Sequence, residues 1–269
     1  MHTNHITNLM SRAFGRFADY SYSPKIQRAI NTIYVRLMKL DMSEFDPPQS
    51  YATLNALFTR SLKTPRELPS DPNAVIAPCD SLITECGSVS DQTLFQIKGM
   101  SYDLANLLPH LTKEQCAVFE GANYQNFYLA PRDYHRYHAP IDMHITRLTH
   151  ISGKLLPVNL PFLRGKLNLF CENERVVLEA ADTRGNGWIM VFVGALNVGK
   201  MHFNFLPKLE TNTTAQISLH DVDRSVRRGE QLGYFKMGST ILIISAKTAA
   251  TFCVSPDQKI RFGDTIGSY

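Results

Sequence analysis

Three short segments carry side chains of the types that acyl and proton chemistry require. In the first, residues 233–244, Gly238 precedes Ser239, Thr240 and an apolar run at 241–244. A glycine leaves its carbonyl carbon open to the next residue's hydroxyl and tolerates the backbone angles of that approach. Attack by Ser239 on the Gly238 carbonyl would move the acyl group from nitrogen to oxygen and give an ester. Elimination would leave a dehydroalanine, which water converts to a pyruvoyl group with release of ammonia. A serine hydroxyl is a weak nucleophile at neutral pH, so the cut needs a base nearby. The same residues also suit a tight turn into a buried strand, because Gly and Ser are common turn formers.

The second segment, 131–140, supplies candidate bases. His135 and His138 lie three residues apart between Pro131 and Pro140, in a chain with nine histidines. Each could be a structural histidine satisfied by a backbone carbonyl. Each could also bind zinc, but no His-Glu-x-x-His pattern or cysteine pair accompanies them. The third segment, 77–81, holds Asp80 between two β-prone runs. A loop Asp is a turn former or, buried, the group that orients a histidine, as in serine hydrolases.

The elements that must position these groups divide the chain in two. Ile6, Leu9, Met10, Ala13, Phe14, Phe17 and Ala18 recur at helical spacing, with Arg12 and Arg16 on the other side. Ser23 and Pro24 signal the start of a second helix, with Ile26, Ile30, Ile33 and Leu37 on its apolar face. A third runs through Tyr51, Leu54, Leu57 and Phe58. Beyond Pro65, short β-prone runs alternate with turn residues, at 74–77, 82–85, 94–97, 126–129, 176–179, 188–193, 214–219 and 241–245. Only 102–108 suggests a helix among them, and no regular strand–helix alternation supports a doubly wound sheet. The expected fold is α+β: a helical N-terminal region, 1–66, followed by a β-rich catalytic domain of mixed or antiparallel sheets, 67–269.

Charge and composition narrow the partners. The net charge is +4, and residues 1–66 alone carry nine Lys or Arg against four Asp or Glu. A basic segment is drawn to nucleic acid or to anionic lipid; its amphipathic helix favours lipid over nucleic acid. The longest apolar stretch, around 189–196, falls far short of the roughly 20 residues that span a bilayer. The five cysteines include no Cys-x-x-Cys pair and read as reduced thiols of a cytoplasmic protein. No secretory signal is visible.

Taken in order, these segments resemble phosphatidylserine decarboxylase precursors. The sequence MGST at 237–240 resembles the family's cleavage motif, usually LGST, and 131–140 resembles its histidine motif. Asp80 fits its SPxDG element, with Ser81 where Gly is usual. LFTRSLK at 57–63, LFCENER at 169–175 and VGALNVG at 193–199 add three further blocks, in family order from residue 54 onward. The resemblance implies Asp80, His138 and Ser239 as the self-cleavage triad, with His138 taking the Ser239 proton and Asp80 holding the imidazole in its tautomer. It implies two chains, 1–238 and 239–269, that stay together. Residue 239 would become the pyruvoyl cofactor, forming a Schiff base with the substrate amine, with no metal and no pyridoxal phosphate. His135 would protonate the substrate carbon or hold its carboxylate.

The implied reaction is decarboxylation of phosphatidylserine to phosphatidylethanolamine, by a peripheral enzyme on the cytoplasmic face of the cell membrane. The implied partners are phosphatidylserine and an anionic membrane surface, with a homodimer left open and nucleic acid excluded. Phe14 and Phe17 would enter the interface beside Arg12 and Arg16. One rival is a serine hydrolase of lipid esters using the same Asp, His and Ser without self-cleavage, although Gly-x-Ser-x-Gly is missing. Others are a noncatalytic membrane-binding β-domain, which leaves the ordered motifs unexplained, and a pyruvoyl decarboxylase of soluble amino acids, which the amphipathic N-terminus disfavours.

Overall fold

The computed structural model describes residues 5–97, 99–196, 200–212, 217–236 and 239–269. Helices come first: α1 (Ile6–Asp19), α2 (Pro24–Met38) and the short α3 (Leu54–Phe58). Pro24 occupies the first turn of α2, where its missing N–H costs no hydrogen bond. Thr53 caps α3 by accepting from the Ala56 amide at 3.0 Å.

Both long helices are inside out. On α1 the buried residues are Asn8, Ser11 and Ala18, and on α2 they are Gln27 and Asn31. The inward polar groups are paired. Asn8 donates to the Gly153 carbonyl at 3.1 Å and accepts from the Leu155 amide at 3.2 Å. Gln27 donates to Asn31, which donates in turn to the carbonyls of Pro48 and Tyr51, both at 2.9 Å. Ile6, Leu9, Met10 and Phe17 of α1 point outward, as do Ile26, Ile33 and Leu37 of α2. Phe14 departs from the expected outer stripe. It is half-buried and packs with Ile30 and Tyr34 around Ala18, Leu54 and Leu57.

The body is built from strands β1 (Ala74–Ile76), β2 (Ser81–Ser88), β3 (Thr93–Ile97), β4 (Met100–Asp103), β5 (Asn123–Leu129), β6 (Arg136–His138), β7 (Met143–Ile151) and β8 (Arg175–Asp182). It continues with β9 (Gly187–Val193), β10 (Lys200–Phe203), β11 (Ile217–Val226), β12 (Gln231–Lys236), β13 (Ser239–Ser245), β14 (Thr251–Phe252), β15 (Lys259–Ile260) and β16 (Thr265–Ser268). Eight strands form the main sheet in the order β11-β7-β8-β9-β13-β5-β2-β15. Two smaller sheets, β10-β12-β6 and β1-β16-β14, and the hairpin β3-β4 complete the set. Every pairing between these strands is antiparallel. The class is therefore α+β with a β-rich body.

The expected helix at 102–108 is half strand. Residues 100–103 pair in β4, and the helix begins at Leu104 because Asp103 caps it, accepting from the amides of Ala105 at 2.7 Å and Asn106 at 3.2 Å. Of the expected run at 214–219, residues 214–216 lie outside the described residues, and β11 starts at Ile217.

Strand β13 sits in the middle of the main sheet, paired with β5 on one side and β9 on the other. Ile241, Leu242, Ile243 and Ile244 are each fully buried. The run is apolar at every position because both faces are covered, unlike the alternating pattern of a strand with a wet face. Leu242→Ala should therefore cost about 2–5 kcal/mol of stability, measured by urea titration. A loss within experimental error would show that the strand is not part of the core.

Candidate active site

Three strand ends meet at one edge of the main sheet. Asp80 immediately precedes β2, Leu129 ends β5, and Ser239 begins β13. Ser239 pairs with Leu129, and Leu82 pairs with Tyr128 one strand over. From Leu129 the chain loops through 130–135 into β6, where the His138 amide donates to the Pro78 carbonyl at 2.9 Å. Strand β12 runs back beside β6, and the Phe235 amide donates to the His135 carbonyl at 3.0 Å. Met237 and Gly238 then carry the chain from the sheet of β12 to that of β13. These two residues and the Ser239 side chain lie outside the described residues.

His138 is buried and held in one tautomer. Its Nδ1–H donates to the Gly229 carbonyl at 2.9 Å, which leaves the Nε2 lone pair to accept from the Tyr134 hydroxyl at 3.2 Å. The ring stacks on Phe262, centroids 3.6 Å apart and planes 14° from parallel. Gly229 has φ +81°, a left-handed turn position that suits glycine, and its carbonyl is thereby aimed at the imidazole. Burial pushes the His138 pKa down to about 4, partly offset by the Gly229 hydrogen bond and the negative charge of Asp80. At neutral pH the ring is uncharged, the form a general base requires.

Asp80 does not make the expected hydrogen bond to His138. Arg66 takes both its oxygens, Nη1 to Oδ1 at 2.5 Å and Nη2 to Oδ2 at 3.0 Å, and the Phe262 amide adds a third bond at 2.7 Å. Arg66 also binds Glu44 at 3.0 and 2.8 Å, and Glu44 contacts Arg261. With its lone pairs committed to a guanidinium and an amide, Asp80 acts on His138 through its charge and through Phe262, whose amide donates to it and whose ring lies on the imidazole. The orienting acceptor on the imidazole is the Gly229 carbonyl. Asp80 and Tyr134 also line a cavity of about 650 Å³ shared with Arg60, Asp133 and Lys259.

His135 is wholly enclosed. It is 0% exposed and stacks on Phe58 with centroids 3.9 Å apart. Burial, reinforced by the charge of Arg60, pushes its pKa down to about 3. The carbonyls of Ala130 and Pro131 lie near enough to favour the protonated ring, yet neither meets the geometry of a hydrogen bond. Both ring nitrogens lack a hydrogen-bond partner among the described residues, as does the buried hydroxyl of Thr240. Two arginines clamp the loop. Arg60 donates to the carbonyls of Arg132 at 2.9 Å and Asp133 at 3.2 Å, and Arg136 donates to those of Thr59 at 3.0 Å and Arg60 at 3.3 Å. Asp133 is half-buried, and its desolvation raises its pKa to about 6.

The sequence reading did not single out Tyr134, Arg66, Phe262, Gly229 or Arg60. Tyr134 is legible in hindsight, four residues before His138 in the same segment. Arg60 falls within the LFTRSLK block, to which no role was attached, and Arg66, Gly229 and Phe262 come from distant parts of the chain with no local signature. Of the expected membrane residues, Phe17 is exposed, Phe14 packs inward, and Arg12 and Arg16 line a cavity between α1 and the body.

Comparison with known sequences now adds to this geometry. The model of the family described as phosphatidylserine decarboxylase matches residues 54–268. Over 267 residues the chain is 45% identical to the phosphatidylserine decarboxylase proenzyme of Helicobacter pylori, covering 98% of each chain. It is 43% identical over 265 residues to the proenzyme of the same description from Campylobacter jejuni, covering 95% of this chain and 97% of the relative. The corresponding Bordetella pertussis protein is 33% identical over 270 residues, covering 96% and 90%.

The buried histidines make stability depend on pH in a fixed direction. Their folded pKa values, about 3 and about 4, lie below the ordinary 6.5. As pH falls from 6.5 toward 4, the unfolded chain binds protons that the folded chain refuses, so stability falls. Asp133 opposes this between about 6 and 3.8, because its folded carboxyl keeps a proton that the unfolded one loses. Two histidines against one carboxyl leave a net loss, to which Glu44 and Asp182, with lowered pKa values, add as they protonate. The melting temperature should fall between pH 6.5 and 4.5, less steeply in His138→Asn. Equal slopes would show that His138 titrates normally in the fold.

Proposed function

The chain belongs to the phosphatidylserine decarboxylase family and is a proenzyme that converts phosphatidylserine to phosphatidylethanolamine and carbon dioxide; on that premise we propose that it cuts itself between Gly238 and Ser239. The observation that carries this reading is the junction itself. Two residues link strands of two different sheets, and the strand after them is held on both sides. A cut there removes no strand pairing. The chain 239–269 keeps β13 on β5 and β9, β15 on β2 and β16 on β1.

In this reading His138 takes the Ser239 proton on Nε2. Its tautomer, set by the Gly229 carbonyl, already presents that lone pair. Tyr134 must release Nε2 for the transfer, which its single 3.2 Å hydrogen bond permits. Asp80 stabilises the imidazolium by its charge, and Arg66 and Phe262 fix its place. The 67–269 portion carries this chemistry, although Glu44, Arg60 and Arg66 reach into it from the first 66 residues.

Residue 239 would become a pyruvoyl group, whose ketone acts as an electron sink for loss of carbon dioxide from the headgroup. The surroundings fit such a group. His135 and Thr240 hold buried polar atoms without partners among the described residues. Thr240 follows residue 239 in β13, and the His135 carbonyl accepts from the amide of Phe235, four residues before residue 239. An unpaired buried polar group is costly unless something arrives to satisfy it. His135 is the proton donor to the substrate carbon in this reading. A substrate carboxylate beside the ring would raise its low pKa.

Membrane attachment is peripheral. No helix among the described residues is long and apolar enough to cross a membrane. The outer faces of α1 and α2 instead offer Ile6, Met10, Phe17, Ile33 and Leu37 to the interface, on the cytoplasmic side where five free thiols persist. Polar inner faces and apolar outer faces are what a helix pair needs when lipid, rather than water, covers it.

Three experiments test these readings. Purified protein should run as two chains, and Ser239→Ala should run as one; a folded wild-type protein that stays uncut sinks the cleavage proposal. His138→Ala should remain mostly uncut, whereas His135→Ala should cut and then turn over phosphatidylserine at least tenfold more slowly, in line with the loss of a positioned proton donor. For the membrane, Phe17→Asp with Ile33→Asp should abolish flotation with anionic vesicles while leaving cleavage intact. Unchanged flotation would assign these side chains to another surface.

A further inference from the structure

A cavity of about 520 Å³ separates α1 from the edge of the β10-β12-β6 sheet. Arg12 and Arg16 line it from the helix and Lys200 and Lys236 from the strands, with Asp19 as its acid. Lys200 and Lys236 are directly opposed in the β10–β12 pairing. Like charges at opposed positions destabilise a sheet unless something of the other sign lies between them. Asp19 answers one of them, accepting from Lys236 at 3.2 and 3.4 Å, but it also holds Asn55 at 2.5 Å. Neither Lys200 nor Arg16 has a side-chain partner among the described residues. The cavity is therefore cationic beyond what its own acid neutralises.

Its position says which anion it suits. Lys236 is three residues before residue 239, so their Cα atoms are at most about 10 Å apart. In a phosphoserine headgroup only an oxygen and a methylene separate phosphorus from the carbon that bears the amine and carboxylate. A phosphate on the lysine pair would thus bring that carbon toward residue 239. The other wall is the inner side of α1, whose outer face carries the apolar residues. A lipid phosphate lies at the depth where such a helix rests.

We propose that Arg16, Lys200 and Lys236 bind the phosphodiester of the lipid substrate and so select a phospholipid headgroup over free serine. This rests on the reading that residue 239 is the reacting group. The alternative source of the same chemistry is a neighbouring anionic lipid that only anchors the protein.

The test uses the full chain and dihexanoyl phosphatidylserine below its micelle concentration, so that no membrane is present. Lys200→Gln and Arg16→Gln should each cut normally by mass. Each should raise KM by about ten- to a hundredfold, the worth of one charge-assisted hydrogen bond, with kcat changed less. Lys200→Arg should restore most of the affinity. In uncut Ser239→Ala protein, calorimetric binding of the same lipid should weaken by a like factor with Lys200→Gln added. An unchanged KM for the dissolved lipid overturns the proposal. A KM that rises only on anionic vesicles also overturns it, by making the cations a membrane anchor. Failure of the wild-type chain to cut would count against the reading of residue 239, while the binding measurement would still judge the cation site.

Discussion

Strand β13 is the constraint on which the rest of the site depends. It is paired on both sides over residues 240–245, and its apolar side chains are sealed from water on both faces. Burying each such side chain stabilises the fold by about 1.5–3 kcal/mol. The first residue of the strand is thereby fixed against Leu129 whatever happens to the bond before it. The same register places the end of β5, and with it the start of the histidine loop, beside that residue. A chain that must break one of its own bonds and keep working needs strands that stay paired without that bond.

The second requirement is a base that stays neutral in a dry place. Burial alone disfavours the charged imidazole, and both loop histidines show it in their lowered pKa values. What distinguishes them is hydrogen bonding. His138 has both nitrogens engaged, one by a carbonyl and one by a phenol, so its lone pair is directed. His135 has neither engaged among the described residues. One ring is fully hydrogen-bonded, and the other keeps two buried nitrogens without partners among the described residues. The reciprocal arginine clamp, Arg60 onto the loop and Arg136 onto the segment of Arg60, ties the histidine loop to the end of α3.

Local features of this fold were legible in the sequence. Helical spacing located α1 and α2, a proline located the start of α2, and the unbroken apolar run located β13. Asp80, His138 and Ser239 stood out only as an ordered set of motifs. Partners were not legible, because they are set by the fold rather than by spacing. Arg66 meets Asp80 from 14 residues away, and Gly229 meets His138 from 91. The most instructive miss is Phe14. Its spacing put it on the apolar stripe, yet it lies at the stripe's border, where α3 is close enough to cover it.

The inverted helices explain why periodicity misled there. A hydrophobic stripe reports that a helix has an apolar side; it does not say whether protein or lipid covers that side. The buried polar residues decide the matter. Asn8 and Asn31 each make two hydrogen bonds to backbone groups at the inner face, bonds that would be lost if either helix rolled to bring its apolar stripe inward. An unpaired amide costs about 1–3 kcal/mol when buried, so the polar face locks the roll of each helix. Once the roll is locked, Arg12 and Arg16 face the cavity beneath α1, not the apolar exterior. Two asparagines thus determine both which side chains the helices turn outward and which charges line the cavity beneath α1.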